Sequence, residues 1–358
     1  MVHAARVVRG PGQTLLTLAN YLAPRWRLLV AAPEGPFLDR VRTEAPDVGV
    51  VTLPMFDSRA KTWATGTATL GRALRCEPRP LLMHANGLSA LNLVAPISRY
   101  RDVPVMVHFH AYVMTPRDRA HLLAWKRLGV RASFMPVSEF GRGLLEATVA
   151  RDSIAGVLPN PIEFRLDGRN GDRRTRPFRI GYVGGRDIRK GLHILIVIAD
   201  LLRDEDVEWW IYGVDPDLPQ HRTPYVLDCV ADVAHRGLDN LVWRGRFDDP
   251  KQAYGSVDAL LIPSIKESFG RPALEGMASA LPVVATRVAG LSEVVWDGVS
   301  GVLFDPDDPS DGARQLRAIV RDPSLRRELA AGAARRAVQF DISTVGKTLE
   351  DVYRRLLG

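Results

Sequence analysis

Short apolar runs alternate with longer amphipathic stretches along almost the whole chain. This alternation is typical of repeated βα units, which build parallel sheets covered by helices. It predicts an α/β protein with doubly wound domains. The predicted strands lie at residues 1–8, 27–32, 48–53, 81–85, 103–109, 133–137, 154–158, 178–183, 208–212, 241–243, 259–262, 283–286 and 302–304, and the helices predicted between them include 14–22, 89–99 and 119–128.

The length of 358 residues corresponds to about two domains. A run without large apolar side chains at residues 167–174 divides the alternation into two parts, and such a run is typical of a linker. The sequence therefore predicts a first domain at 1–165, a linker at 166–177, a second domain at 178–337 and a helical segment at 338–358, with its final helix at 345–357.

Three features predict a cytoplasmic protein. No apolar run approaches the ~18 to 20 residues that cross a bilayer. The first 22 residues carry Arg6, Arg9 and the turn-forming Gly10 to Gly12 where an export signal would be apolar. The two cysteines, Cys76 and Cys229, are too few for a disulfide framework or a C-x-x-C metal site, so a reducing compartment is expected.

The positive charge is concentrated in the first half of the chain. Residues 1–170 hold 22 Lys and Arg against 13 Asp and Glu, whereas residues 171–358 hold 26 against 28. This asymmetry favours an acidic substrate, an anionic membrane surface or a nucleic acid as partner of the first domain, and an arginine-rich composition without function is the alternative. No zinc-finger spacing or interleaved basic and aromatic run supports a nucleic acid. The basic residues on or beside the predicted helix 119–128 are Arg117, Arg119, Lys126, Arg127 and Arg131.

One candidate site follows the predicted strand 178–183. Gly184 and Gly185 would let the backbone approach an anion, and Arg186 and Lys190 would add positive charge before a helix that starts after Gly191. A diphosphate fits this pattern, although the spacing is neither that of a dinucleotide fold nor that of a P-loop. A solvated turn with surface cations is the alternative interpretation.

A second candidate site follows the predicted strand 259–262. Pro272 marks the first turn of a helix, so Glu267 lies in the loop before it and Glu275 lies in its second turn. Backbone N–H groups at such a helix start bind phosphate, and carboxylates accept hydrogen bonds from sugar hydroxyls. Two ordinary surface glutamates are the alternative.

Together the two sites resemble glycosyltransferase family 4, whose members are retaining enzymes with the GT-B fold. Glu267 and Glu275 form an E-x7-E motif within KESFGRPALEGMA, and further matching segments lie at 157–162, 184–191, 281–286, 290–295 and 297–304. The resemblance implies two Rossmann-like doubly wound domains facing a central cleft, with the segment 338–358 crossing back to the first domain. It also implies that the acceptor binds the first domain and the nucleotide sugar binds the second.

The resemblance implies roles for individual residues. Arg186 and Lys190 would neutralise the leaving diphosphate, Glu267 would hold hydroxyls of the donor sugar, and Glu275 would bind the ribose. Arg189 is an alternative to Arg186, because the spacing to Lys190 is about one residue shorter than usual in the family. His110 would face the sugar. The remaining donor-binding residues would be Gly184, Gly185, Ser268, Phe269, Gly270 and Arg271, and the acceptor side would include Gly12 and Gln13.

The implied reaction transfers a hexosyl group from a UDP- or GDP-sugar to a hydroxyl acceptor, in the biosynthesis of cell-surface glycans, glycolipids or secondary metabolites. No cofactor and no metal are expected, because the acidic pairs at 204–206, 215–217 and 305–307 fall in turns. Peripheral contact with the inner face of the plasma membrane is expected from the basic first domain. One alternative is a non-catalytic nucleotide-sugar-binding protein or a partner subunit of a glycosyltransferase. The other is a nicotinamide oxidoreductase, but the sequence lacks the glycine motif with which such enzymes bind their dinucleotide.

Overall fold

The computed structural model describes residues 1–6, 10–55, 60–75, 82–163, 177–247 and 249–358. These residues form two compact units. Unit 1 combines Met1–Glu163 with Phe340–Gly358, and unit 2 holds the described residues between 177 and 339. All of the predicted linker except its last residue, Pro177, falls in the stretch 164–176, which lies outside the described residues.

Unit 1 has a parallel sheet that is completed by one residue from the start of the chain. Its described strands are β1 (Leu29–Pro33), β2 (Gly49–Leu53), β3 (Met83–Asn86), β4 (Val105–Phe109) and β5 (Ala132–Pro136). Val2 pairs in parallel with Ala31 of β1 and with Ala85 of β3. The strand order is therefore β2-β1-Val2-β3-β4-β5, and the predicted opening strand is reduced to Val2 among the described residues. Residues 7–9 of that prediction lie outside them.

Helices cover this sheet because their apolar faces pack against its buried strands. They are α1 (Gly10–Leu22), α2 (Pro36–Glu44), α3 (Ala60–Ala73), α4 (Leu88–Arg101), α5 (Pro116–Arg127) and α6 (Glu139–Glu146). The turn predicted at residues 10–12 is wrong, since α1 already begins at Gly10. Pro11 is tolerated there because the first helical positions need no intrahelical N–H bond.

The predicted strand at 154–158 is also wrong. Only Ile154 forms a bridge, to Phe134 of β5. The N–H groups of Ala155 and Leu158 still donate to β5, but Gly156 between them has a φ of 143°. A positive φ interrupts the extended backbone that continuous pairing requires.

Unit 2 contains a six-stranded parallel sheet in the part of the chain that the structure describes. Its strands are β6 (Phe178–Val183), β7 (Val207–Tyr212), β8 (Leu241–Gly245), β9 (Ala259–Ile262), β10 (Val283–Thr286) and β11 (Val302–Phe304), in the order β8-β7-β6-β9-β10-β11. Its helices are α7 (Leu192–Leu201), α8 (Pro224–Arg236), α9 (Pro250–Gly255), α10 (Arg271–Ala278), α11 (Ala289–Val294), α12 (Pro309–Arg321) and α13 (Pro323–Ala337). The order reverses between β6 and β9, which is the doubly wound arrangement predicted from the alternation.

The last helix of the chain, α14 (Ile342–Leu357), belongs to unit 1. Its buried Leu349 and Val352 pack with Leu18 of α1 and Met106 of β4. A Cβ added to Gly346 would come within 2.3 Å of the Tyr21 ring, so the backbone of α14 lies directly against this side chain of α1. No helix among the described residues has the length and apolar character needed to cross a bilayer.

Candidate functional site

Two loops of unit 2 meet where its strand order reverses. One loop follows β6 and the other follows β9, and ligands of doubly wound sheets bind at this point beyond the carboxyl ends of the strands. The N–H of Ile265 donates to the carbonyl of Arg189 at 2.8 Å. A Cβ on Gly191 would lie 1.8 Å from the carbonyl oxygen of Pro263. Both motifs singled out in the sequence therefore form one continuous surface.

The glycine turn after β6 has a packed side and an open side. A Cβ on Gly213, whose φ is +87°, would lie 1.8 Å from the carbonyl oxygen of Gly184. At Gly185, in contrast, no described atom lies within 4 Å of the place that a Cβ would take. The backbone at Gly185 is thus accessible to a ligand from that direction.

Arg186 and Arg189, either of which could neutralise a diphosphate together with Lys190, have different surroundings. Arg189 is paired with Asp187, with Nε and Oδ1 2.8 Å apart, and these hydrogen bonds lower the pKa of the Asp187 carboxyl to about 2. Arg186 is half-buried and has no hydrogen-bond or ion-pair partner among the described residues. Arg186 is therefore the better placed of the two to meet an anionic ligand.

Lys190 and Glu267 form an ion pair that joins the two loops. Nζ of Lys190 lies 2.5 Å from Oε2 of Glu267, although the residues are 77 positions apart. The two side chains are 31% and 13% exposed. A carboxylate that is so largely buried is stabilised by its cation, and breaking a pair of this kind leaves a charge without compensation.

The loop after β9 presents its backbone at the start of α10. Gly270 has a φ of +100°, and a Cβ there would lie 2.4 Å from Leu291. Phe269 is buried, so a ligand can meet its peptide group but not its ring. Helix α10 begins directly afterwards with Pro272 in its first turn, and N–H groups at a helix start have no partner within the helix. Ser268 stands next to Phe269 in the same loop.

Glu275 is held by two neighbours on the buried side of α10. Arg271 donates to its Oε1 from Nη2 at 2.7 Å and from Nε at 3.1 Å, and Tyr254 donates to Oε2 at 2.6 Å. A carboxylate offers about four acceptor positions, so these three bonds leave about one position on Oε2. Burial, followed by the nearby Glu275 charge, raises the pKa of Tyr254, and its hydroxyl therefore keeps its proton.

Two tyrosines near the site were missed by the sequence reasoning. Tyr254 comes from α9, and Tyr225 comes from α8. The Tyr225 hydroxyl accepts from the backbone N–H of His193 at 3.2 Å and hydrogen-bonds to its Nδ1 at 2.8 Å. One N–H group at the start of α7 is thus already occupied. Neither tyrosine belongs to a local motif, so only the packing of separate helices could reveal them.

In unit 1, His110 lies just after β4 and close to Asn86 at the end of β3. Its Nε2 is 2.8 Å from Oδ1 of Asn86. The ring of His108 is 4.1 Å away between centroids, and His108 itself is buried.

Gly12 and Gln13 lie in the first turns of α1 and differ in burial. Gly12 is buried, and a Cβ there would lie 3.2 Å from Nε2 of His3 and 3.3 Å from the Phe37 ring. Gln13 accepts a hydrogen bond from Arg40 at 2.7 Å. Both residues lie in a helix and not in a loop. The start of α1 lies close to Asn86, since the carbonyl of Pro11 accepts a hydrogen bond from Asn86 Nδ2 at 2.9 Å.

The acidic residues considered as metal ligands are engaged in local contacts. Asp204 pairs with Arg317 at 2.8 Å, and Asp305 accepts from the N–H of Asp307 at 2.9 Å. Among the described residues, no three His, Cys, Asp or Glu side chains are grouped so that they could hold a metal ion.

Comparison with protein families shows what unit 2 resembles. Residues 177–322 match the family model Glycosyl transferases group 1, and this stretch contains both loops of the site. Unit 2 is therefore similar to group 1 glycosyltransferase domains. The resemblance predicted from the E-x7-E motif is therefore confirmed.

Curated relatives of the chain include D-inositol 3-phosphate glycosyltransferases. The one from Salinispora tropica is 45% identical over 194 residues, which cover 52% of this chain and 40% of the relative. The one from Streptosporangium roseum is 39% identical over 132 residues, which cover 37% of this chain and 30% of the relative. The matched residues thus span less than half the length of these curated relatives.

Solved structures with the same fold extend the likeness beyond the group 1 domain. HepE of Anabaena in complex with UDP-glucose has a TM-score of 0.83 and 21% identity, covering 99% of this chain and 98% of HepE. A glycosyltransferase from Rickettsia africae has a TM-score of 0.83 and 16% identity, covering 99% and 97%. The predicted GT-B class of α/β fold is confirmed.

Proposed function

We propose that the protein is a retaining glycosyltransferase that moves a hexosyl group from a nucleotide-diphosphate sugar to a hydroxyl acceptor. Unit 2 binds the donor, a UDP- or GDP-sugar, and unit 1 binds the acceptor. The group 1 family match of unit 2, the glycosyltransferase names of the relatives and the UDP-glucose bound by HepE support this proposal. The product belongs to cell-surface glycan, glycolipid or secondary-metabolite biosynthesis.

The ion pair between Lys190 and Glu267 is the observation that carries the proposal. In a nucleotide sugar, the sugar C1 and the diphosphate are joined by a single oxygen. A cation for the diphosphate and a carboxylate for the sugar hydroxyls must therefore lie side by side. Lys190 and Glu267 do so, 2.5 Å apart at the strand-order reversal of unit 2.

The proposed reaction breaks the bond between C1 and the diphosphate oxygen and forms a bond from C1 to the acceptor oxygen on the same face of the sugar. The electron pair of the broken bond stays with the diphosphate, which also takes the proton of the acceptor hydroxyl. Lys190 and Arg186 stabilise the charge that develops, a role usually supplied by fixed cations or donors. The reaction as proposed needs no metal and no cofactor.

The other site residues hold the donor in this proposal. Glu275 accepts a ribose hydroxyl at the position left on Oε2, and Arg271 fixes the orientation of the carboxylate. Backbone groups of Gly184, Gly185 and the segment Ser268 to Gly270 meet the phosphates and the sugar. His110 hydrogen-bonds to a hydroxyl of the substrate.

Titration with nucleotides tests this assignment. We expect isothermal titration of UDP, GDP and ADP, each in EDTA, to show selective binding of UDP or GDP. Replacing Glu275 with Gln is expected to weaken that binding by about 10- to 100-fold, because a hydrogen bond to a charged acceptor is lost. Sugar conjugates of the nucleotide that binds then serve as donors in a transfer assay, also in EDTA.

Glu328→Gln is the matched control for this titration. It makes the same chemical change on the exposed side of α13 and is expected to bind like the wild type. If a folded wild-type protein binds none of the three nucleotides, the proposed function is wrong. A binding constant that is unchanged in Glu275→Gln would remove Glu275 from the site.

The surface formed by the end of α4 and by α5, here called the α4–α5 surface, combines positive charge with exposed apolar side chains. Tyr100 is 90% exposed and Leu128 is 57% exposed, and Arg99 joins the two helices by donating to the carbonyl of Leu128 at 2.9 Å. This combination favours an anionic interface. We propose that it contacts the inner face of the plasma membrane. The exposed basic residues of this surface are Arg99, Arg117, Arg119, Lys126, Arg127 and Arg131.

Sedimentation with vesicles tests the membrane contact. At low salt we expect the protein to sediment with phosphatidylglycerol-containing vesicles and not with pure phosphatidylcholine. The double variant Lys126→Gln/Arg127→Gln is expected to lower the bound fraction several-fold, because each basic residue near the surface contributes about 1 kcal/mol. The control Arg327→Gln/Arg335→Gln removes two charges from α13 and should bind normally. Equal binding to both lipids would contradict the proposal.

A further inference from the structure

His193 lies in the first turn of α7, three residues after Lys190 and two after Gly191. Helical side chains lean back toward the start of their helix. The start of α7 lies beyond the carboxyl end of β6, where the strand order of unit 2 reverses. The imidazole of His193 therefore leans toward the end of the sheet at which the two loops of the site meet.

The contacts of Tyr225, which comes from α8, show that the ring leans this way. Its hydroxyl oxygen lies 3.2 Å from the backbone N of His193 and 2.8 Å from Nδ1 of the same residue. A backbone N–H in the first turn points out of the start of its helix. One hydroxyl can reach both groups only because the imidazole is folded back over that end of α7.

The same contacts determine which ring nitrogen carries the proton. The backbone N–H of His193 can only donate, so the oxygen of Tyr225 accepts there and its own proton is available to Nδ1. The thiol of Cys229, which also lies beside Tyr225, is a weak acceptor. A neutral His193 therefore carries its proton on Nε2. This nitrogen has no partner among the described residues and keeps contact with solvent.

We propose that His193 is a further diphosphate-binding residue, whose Nε2–H donates a hydrogen bond to a phosphate oxygen of the nucleotide sugar. Tyr225 is the positioning residue that fixes its tautomer. Lys190 and Arg186 supply charge at the diphosphate, and His193 adds a donor with a fixed direction. This inference rests on the proposed function for the identity of the ligand, whereas the tautomer itself does not.

A diphosphate changes the charge state of His193 in this arrangement. Burial lowers the pKa of His193, so the imidazole is neutral at pH 7 before the ligand binds. Negative charge at hydrogen-bond distance favours the imidazolium and raises that pKa. Binding of the nucleotide sugar near pH 6 is therefore accompanied by uptake of a proton at His193.

The other ionisable groups around the ring do not include a second imidazole. Tyr225 and Cys229 of α8 and Tyr182 near the end of β6 stay neutral, since burial is the chief cause that raises the pKa of each. The charged residues on the turn before α7, on the loop that it meets and on α8 are Arg186, Asp187, Arg189, Lys190, Glu267, Asp228 and Asp232.

The tautomer can be measured without any substrate. Long-range proton–nitrogen correlation spectra of protein labelled with nitrogen-15 in its histidines distinguish a protonated ring nitrogen from an unprotonated one. His193→Phe identifies the signals of His193 by their loss. We expect Nε2 protonated and Nδ1 unprotonated at pH 7.5 in the wild type. A proton on Nδ1 alone would overturn the role of Tyr225.

Titration calorimetry with a nucleotide sugar tests the contact itself. UDP-glucose or GDP-glucose is the probe, according to the nucleotide that binds, because its diphosphate has no proton to exchange near pH 6. In two buffers of different ionisation enthalpy at pH 6, the wild type should take up a fraction of a proton per site. His193→Phe should lose this uptake and bind about 10-fold more weakly or more, because a hydrogen bond to a charged acceptor is lost.

His193→Gln separates a contact with the ligand from a purely structural role of the ring. Glutamine keeps an N–H donor but takes up no proton, so this variant should recover part of the affinity without the proton uptake. It also replaces His193→Phe in the titration if the phenylalanine variant does not fold. His235→Phe makes the same change at an exposed position of α8 and should bind and take up protons like the wild type.

Two failures can be told apart in this experiment. Affinity and proton uptake that stay unchanged in a folded His193 variant would overturn the inference and leave the proposed function in place. If the wild type binds neither the nucleotides nor their glucose conjugates, the proposed function fails, while the nitrogen-15 spectrum still decides the tautomer.

Discussion

Replacing Lys190 with methionine is expected to lower kcat/KM for the nucleotide-sugar donor by about 100- to 1,000-fold. Methionine fills a similar volume but carries no charge, so the departing diphosphate loses a fixed cation. The loss also leaves Glu267, whose side chain is only 13% exposed, without the partner at 2.5 Å. Initial rates at varied donor concentration measure the effect, and the reduction should be found mainly in kcat.

Lys347→Met is the control for this substitution. Lys347 is exposed on α14, so the same chemical change there should leave both kinetic constants within about two-fold of the wild type. Lys190→Arg restores the charge with a different donor geometry and should recover part of the activity. A Lys190→Met enzyme within three-fold of the wild type would show that Lys190 does not meet the leaving group.

Replacing Gly191 with alanine is expected to destabilise unit 2 by roughly 3 kcal/mol or more. The added Cβ would lie 1.8 Å from the carbonyl oxygen of Pro263, which is backbone and cannot rotate away. Gly191 also has a φ of +70°, which alanine adopts only with strain. Chemical denaturation followed by tryptophan fluorescence measures the change, since several tryptophans lie in unit 2.

Two other glycines separate this steric effect from a general effect of adding a methyl group. Gly143 lies in α6 with no described atom within 4 Å of an added Cβ, and Gly143→Ala should be neutral or slightly stabilising. Gly185→Ala has the same open surroundings beside the cations, so it should fold normally but bind nucleotide more weakly. A Gly191→Ala protein as stable as Gly143→Ala would contradict the close packing of the two loops.

The strands of unit 2 were the most predictable part of the fold. The predicted bounds of β6, β9, β10 and β11 agree with the structure. In β9 all four residues are buried, and a strand that is buried on both faces appears in a sequence as an uninterrupted apolar run between turns. The predictions at 1–8 and 154–158 were less successful. An apolar run shows that a segment is buried, but the number of ladder hydrogen bonds depends on backbone angles such as that of Gly156.

The site was predictable where its chemistry is local. Lys190 and Glu267 each belong to a loop motif, and the doubly wound order explains why those loops meet. Tyr254 and Asn86 could not be found in this way, since each contributes a single polar group from an element without a motif. For Asn86 one signal existed: a polar residue directly after an apolar strand lies at the carboxyl end of that strand, where ligands bind.

The packing of α14 against α1 has a consequence for the order in which the protein is made. A ribosome completes every strand of unit 1 and the whole of unit 2 before it adds α14. Until then Leu18 and Met106 lack the apolar side chains that cover them in the finished protein. Glu350, which accepts from Arg25 at 2.6 Å, is also added only after the whole of unit 2. During synthesis, unit 1 therefore exposes an apolar surface until α14 has been added. Unit 2, in contrast, can fold as soon as its own residues have left the ribosome.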